Sequence, residues 1–209
     1  MADAINDMKL LVDREPGNAD RRLDLANLYL SDDRPRKAIE TYTEVLDRNP
    51  RNVRALRSRA DALLAVGDHK EALEDYERAI KAAGDDEKKH DLAGIVNNLS
   101  WLLATSPIDA IRNGKRAVEL GHRAVDLSEG KEAHILSTMA AAYAEIGDFE
   151  KAVEWSTKSV DLGREEDHNQ LEQLEEELEN YKAGKPWREK QETEENAIPI
   201  LSPDELIET

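Results

Sequence analysis

Arg54 and Arg57 stand three residues apart, and Ser58 and Asp61 follow within the next turn, so on a helix all four share a face. Two guanidinium groups beside a hydroxyl form a fork of donors suited to a carboxylate, either a chain end or an acidic side chain. The plainer outcome is that both arginines pair with neighbouring acids, of which the chain has 46. Other chemistry is scarce. His69, His90, His122, His134 and His168 form no i, i+4 pair, and there is no cysteine, so neither a helical His site nor a Cys/His metal site is expected. No Gly-rich phosphate loop, nucleophile elbow or zinc-protease helix motif occurs. Carboxylates are abundant, but nothing in the sequence holds two of them in a shielded cleft. The expectation is a chain with no enzymatic activity, no cofactor and no metal.

The elements that must position these side chains follow a repeat. Pro16 and Pro50 are 34 residues apart, and a further 34 lead to Gly84. Ala26 precedes Ala38 by 12 residues, as Ala60 does Ala72 and Ala140 does Ala152. Each second alanine opens a series spaced by four and three: Ala38–Tyr42–Val45, Ala72–Tyr76–Ala79 and Ala152–Ser156–Ser159. Small residues on both sides of a tight turn let two antiparallel helices pack closely, while Leu25, Tyr29 and Tyr42 fill the space toward the next pair. Gly67-Asp68 and Gly147-Asp148 supply a left-handed-tolerant residue and then an N-cap. Asp68 and Glu71 have the spacing of a capping box. In the first unit Asp33-Arg34-Pro35 replaces that turn, with Pro35 in the first helical turn.

Two runs carry a resemblance. The sequence from Leu56 through Gly67-Asp68 to Tyr76, and that from Ala140 through Gly147-Asp148 to Ala152, resemble the tetratricopeptide repeat family. A second match runs from Asn97 to Pro107, from Gly114 to Leu120 and from Leu178 to Glu189, and is similar to a variant arrangement seen in large bacterial repeat proteins. The resemblance implies an all-α, right-handed superhelical solenoid of antiparallel helix pairs. The expected repeat domain covers 1–183: a lone opening helix over 2–14, units at about 19–52 and 53–86, an irregular unit at 87–130, and another at 133–166. In the irregular unit Ser100 and Ala117 take the paired places but stand 17 apart, so about five residues are inserted around Ser106-Pro107-Ile108. A capping helix over 167–183 carries Leu171, Leu174, Leu178 and Tyr181 on one side, with glutamates elsewhere. An acidic tail over 184–209 is expected to be partly mobile. A start on half a repeat would suit a piece of a longer chain.

The resemblance further implies a protein–protein interaction scaffold that binds a peptide or protein in a concave groove lined by the first helix of each unit. The positions flanking the packing alanines are Leu23, Asn27, Arg54, Arg57, Ser58, Asp61, Asn97, Asn98, Trp101, His134 and Thr138. Chaperone-binding members hold a C-terminal carboxylate with two cations and two amides spread over three units. The matching places hold Leu23, Asn27, Ser58, Gly94 and Asn98, or one unit later Arg57, Asp61, Asn98, His134 and Thr138. Neither set reproduces that clamp, and Asp61 would repel a carboxylate. Trp101 is read either as an anchor for a partner or as a cover for the inserted loop, and Trp155 and Trp187 as packing residues. The alternative function is a structural module for self-association or for positioning domains in a larger assembly. Self-association would run through the C-terminal segment, where apolar Ile198-Pro199-Ile200-Leu201 precedes Ser202-Pro203-Asp204-Glu205, a helix-start pattern for a short docking element. The alternative there is a solvated tail.

Composition agrees with helix pairs packed through small residues: 4% of residues are aromatic, with a single Phe, and 36% are charged. The net charge of −17 argues against binding a phosphate backbone. Much of that charge lies in Glu165–Thr209, with 15 acidic against 4 basic residues. No stretch approaches the ~18–20 apolar residues of a membrane span, and the first residues lack the basic-then-apolar pattern of a signal peptide. A soluble, cytoplasmic protein without membrane insertion is expected.

Overall fold

Asn18 and Asn52 are 34 residues apart and do the same work: each side chain accepts from the backbone N–H three residues on, at 3.3 Å from Arg21 and 2.9 Å from Ala55. Each opens the first helix of a unit. The computed structural model describes residues 1–84, 89–166 and 169–190, the side chains of Lys89 and His90 excepted. Its described residues form ten helices and no strand: α1 (Ala2–Arg14), α2 (Ala19–Ser31), α3 (Pro35–Arg48), α4 (Val53–Ala65), α5 (His69–Ala83), α6 (Lys89–Thr105), α7 (Gly114–Ser128), α8 (Ala133–Glu145), α9 (Phe149–Glu165) and α10 (Leu171–Lys182). The pairs α2/α3, α4/α5, α6/α7 and α8/α9 stack in chain order, with α1 before the first and α10 after the last. Among the described residues no helix is long and apolar enough to cross a membrane.

The seams within the pairs are made by the small residues. Ala26, Ala38, Ala60, Ala72, Ala140 and Ala152 are completely buried. In the irregular pair the seam closes through a hydrogen bond, Ser100 Oγ donating to the carbonyl of Ala117 at 2.8 Å. The insertion therefore lies wholly in the loop after α6 and leaves the helix seam in register. The turns follow the chemistry of their residues. Gly67 (φ +88°) and Gly147 (φ +81°) take left-handed backbone, and in the first unit Asp33 (φ +54°) takes it in place of glycine. Pro35 opens α3. Asp148 caps α9 by accepting from the Lys151 N–H at 3.2 Å, and that bond holds its carboxyl below the usual range. Asp68 differs from expectation. It stands at the N-cap of α5 but makes no side-chain cap bond, so the spacing to Glu71 does not become a capping box.

Larger side chains fill the layers between pairs, with Tyr42, Tyr76, Leu56, Ile95, Leu99 and Met139 each at most 1% exposed. One polar group runs through this core. Asp75 on α5, 1% exposed, takes both Arg59 Nε (2.6 Å) and Nη2 (2.9 Å) from α4, and Arg78 Nη1 (2.8 Å) from its own helix. Arg59 Nη1 continues to Thr43 Oγ1 on α3 at 2.9 Å, tying two units together. Asp75→Ala would leave Arg59 without its anion where its side chain is only 17% exposed. The expected cost is about 3 kcal/mol, the low end for a broken buried pair because Arg78 can turn to water. A chemical denaturation midpoint that does not move would refute that structural role.

Candidate functional site

The first helices of the pairs, α2, α4, α6 and α8, present their outward side chains along one face. Two buried tyrosines from the second helices fix what that face displays. Tyr42 on α3 donates to Asn27 Oδ1 on α2 at 2.5 Å, and Tyr76 on α5 donates to Asp61 Oδ1 on α4. The two bonds are the same bond one repeat apart. Burial pushes the Tyr42 hydroxyl up to about 12 and, with the charge of Asp61, raises that of Tyr76 well above its usual range, so both remain protonated donors. Asn98 on α6 extends the row by donating Nδ2 to the same oxygen of Asp61 at 3.1 Å. Asp61 is exposed as a residue, yet its carboxylate is crowded by these partners. Lost hydration raises its pKa, against the opposing pull of Tyr76, Arg57 and Asn98.

The two arginines do not converge on one acceptor site. Arg54 turns back to α2 and pairs with Asp20 at 3.1 Å, with both side chains largely in solvent, where such a pair is worth little. Arg57 turns forward to α6 and lies across Gly94, its Nη2 3.1 Å from where a Cβ would stand. Ser58 is half-buried near the Tyr42 hydroxyl. Leu23 and Thr138, each 2% exposed, belong to the core, and the Thr138 hydroxyl returns to the His134 carbonyl at 3.0 Å. His134 is partly exposed, its Nδ1 3.9 Å from Glu132. Asn97 is 5% exposed, its Nδ2 at 3.5 Å from Asn98 Oδ1 and its Oδ1 without a partner.

Trp101 has a role that neither reading foresaw. After α10 the chain turns at Gly184 (φ +69°), and residues 185–190 run back across the ends of α6 and α8 as a strap. Trp101 Nε1 donates to Glu189 Oε2 at 3.1 Å. The Glu189 N–H donates to the Thr105 carbonyl at 3.0 Å, and Arg188 Nη1 to that of Ala104 at 3.3 Å. These are carbonyls of the last turn of α6, which have no partner within the helix. Arg188 Nη2 also pairs with Glu145 Oε2 at 2.6 Å, and Glu145 Oε1 takes Arg112 Nε of the inserted loop at 3.0 Å. Trp187 packs on the core, as does Trp155. Residues 185–190, the described part of the expected tail, are held by main-chain and side-chain bonds. The candidate docking helix at 202–207 lies outside the described residues, as do the first two residues of the expected capping helix.

Alongside the strap, α10 supplies a carboxylate that the sequence reading passed over. Glu177 is completely buried and accepts from Ser137 Oγ on α8 and from Gln173 Nε2 at 2.9 Å. Burial raises its pKa despite those bonds, and the charges of Glu189 and Glu176 add to the rise. Asp61, Glu177 and Glu189 line one cavity of about 350 Å³, together with Asn97, Asn98 and Trp101. Glu177 did have a signal, since it falls within the Leu171/Leu174/Leu178/Tyr181 stripe and interrupts an otherwise apolar face. Glu189 had none, because only the fold brings it to α6. Among the described residues no group of three His, Cys, Asp or Glu could hold a metal ion.

Residues 23–87 match the model of the tetratricopeptide repeat family. Similar solved structures include MamA, residue 41 to the end, of Desulfovibrio magneticus RS-1. It has 18% identity and a TM-score of 0.59, over 79% of this chain and 88% of that one. A putative kinesin light chain of Podosopora anserina with nearly identical tetratricopeptide-like repeats has 18% identity and a TM-score of 0.63, over 80% and 88%. TTC0263, a thermophilic tetratricopeptide protein of Thermus thermophilus, has 16% identity and a TM-score of 0.61, over 87% and 88%. At such identities the likeness is one of fold. No curated protein matches the sequence. Residues 23–87 thus match the tetratricopeptide repeat, and the chain shares the all-helical solenoid fold of these structures.

Glu177 gives a pH-dependent prediction. Its folded pKa lies above the ordinary 4.5, so the protonated form is the comfortable one, and stability is lost as pH rises through the folded value. Glu177→Gln keeps the neighbouring hydrogen bonds without the charge. Its melting temperature should exceed the wild-type value at pH 8 by about 2–4 °C, on the order of 1 kcal/mol, and approach it near pH 4. A variant less stable at pH 8 would mean the carboxylate is well compensated where it lies.

Proposed function

We propose that this chain is a non-catalytic scaffold that holds a peptide or protein segment in the concave groove lined by α2, α4, α6 and α8. The observation that carries the reading is the row Asn27, Asp61 and Asn98. Asn27 and Asp61 stand at equivalent places in two successive units, oriented from behind by Tyr42 and Tyr76, and Asn98 of the third unit joins them through its bond to Asp61. Core packing does not require this arrangement, because the tyrosine hydroxyls could have met any acceptor. Side chains already held in place lose little entropy when a ligand takes up their remaining hydrogen-bonding capacity, and this favours recognition of an extended backbone. The cytoplasm remains our assignment for where this takes place.

Nonapeptides selected from a displayed random library on the full chain provide the test, with hydrogen exchange locating where they bind. Protection is expected along the outward faces of α2, α4 and α6. The Asn27→Ala/Asn98→Ala double variant should bind the selected peptides about tenfold more weakly, since two amide contacts are lost. Protection confined to α3, α5 and α7 on the opposite face would refute the groove.

A further inference from the structure

We infer that the cavity between α4, α6, α8, α10 and the strap is a receptor for one cationic side chain, that of an arginine in the bound segment. The inference rests on the groove reading above and names what its inner end accepts. Three carboxylates, Asp61, Glu177 and Glu189, come from three separate stretches of chain to line a space of about 350 Å³. No lysine or arginine is among the residues that line it. Arg57, whose charge reaches Asp61, is committed to the surface of Gly94.

A second observation is independent of the charges. Asn97 is 5% exposed, it lines the same cavity, and its Oδ1 has no hydrogen-bond partner. A buried amide oxygen without a donor is costly, so this oxygen calls for an N–H that the chain itself does not supply. The cavity thus gathers three carboxylates and an unpartnered amide oxygen with no lysine or arginine in its lining. A guanidinium is the side-chain group that best meets all of these needs. It carries five N–H donors in one plane, cannot lose its charge, and can lie against the indole of Trp101, which also lines the space. A cation there would also relieve Asp61 and Glu177, both of which burial disfavours in the charged form. Glu189 belongs to the strap, so the receptor is complete only when residues 185–190 are seated.

The library selection that tests the groove also tests this, through a different readout. Peptides that bind along α2, α4 and α6 are expected to carry arginine at one fixed position. Resynthesis with citrulline there, which keeps the shape and loses the charge, should weaken binding by tenfold or more. In the Asp61→Asn/Glu189→Gln double variant, which keeps an acceptor oxygen for Tyr76, Asn98 and Trp101, the arginine and citrulline peptides should bind alike. Thermal unfolding of that variant checks that it folds. Groove-bound peptides with no basic position, or with citrulline tolerated, would overturn the cation receptor while leaving the scaffold standing. An arginine preference that survives in the double variant would overturn it too, by placing the cation elsewhere. Free agmatine competing as well as the peptide would assign the cavity to a small amine and overturn the peptide side chain. Absence of any groove-bound peptide would remove both readings together.

Discussion

The close approach of two helices at a pair of small residues is the constraint from which the rest of this molecule follows. A helix axis can come near its partner only where no side chain intervenes, and Ala26/Ala38, Ala60/Ala72 and Ala140/Ala152 provide that at the same offset in three pairs. Once the seams are narrow, the tyrosines and leucines have nowhere to go but into the layers between pairs, and those layers supply the core. No pair could bury enough apolar surface alone, so each depends on its neighbours. The same geometry brings the hydroxyls of Tyr42 and Tyr76 through to the far face, where they orient Asn27 and Asp61. Packing and display are thus one arrangement seen from two sides.

The irregular unit shows how an insertion can be absorbed without breaking that constraint. Ser100 and Ala117 keep the seam closed through a hydrogen bond, and the extra residues go into the loop after α6. That loop carries Arg112, which reaches Glu145 on α8, and Glu145 in turn receives Arg188 from the strap. The free carbonyls at the end of α6 take the strap's main-chain and guanidinium donors. The irregularity and the chain's fold-back form one connected structure. A regular turn such as Gly67-Asp68 has no side chain in the place of Arg112 to reach toward the next first helix.

Buried charge is treated differently in the two halves of the chain. Asp75 is fully answered by Arg59 and Arg78, so its burial ties units together. Glu177 is equally buried but has only a hydroxyl and an amide as partners, and a second carboxylate nearby. The first arrangement is what a structural ion pair needs. The second leaves acceptor capacity in the cavity that Glu177 shares with Asp61 and Glu189.

The helices, their pairing and most turns were legible in the sequence because they rest on local periodicity. The alanines twelve apart and the glycines before aspartate act within one or two turns of chain. The displaced partner of Ser100 was legible for the same reason. Tertiary structure alone decided the site. Arg54 and Arg57 share a helix face, but each is drawn to a different neighbouring unit, and no spacing rule could say which. Thr138 and Leu23 are buried in the core. Trp101 found its partner in Glu189, far along the chain. Local sequence specifies which face a side chain leaves from; only the assembled stack, with the strap laid across it, specifies what that side chain meets.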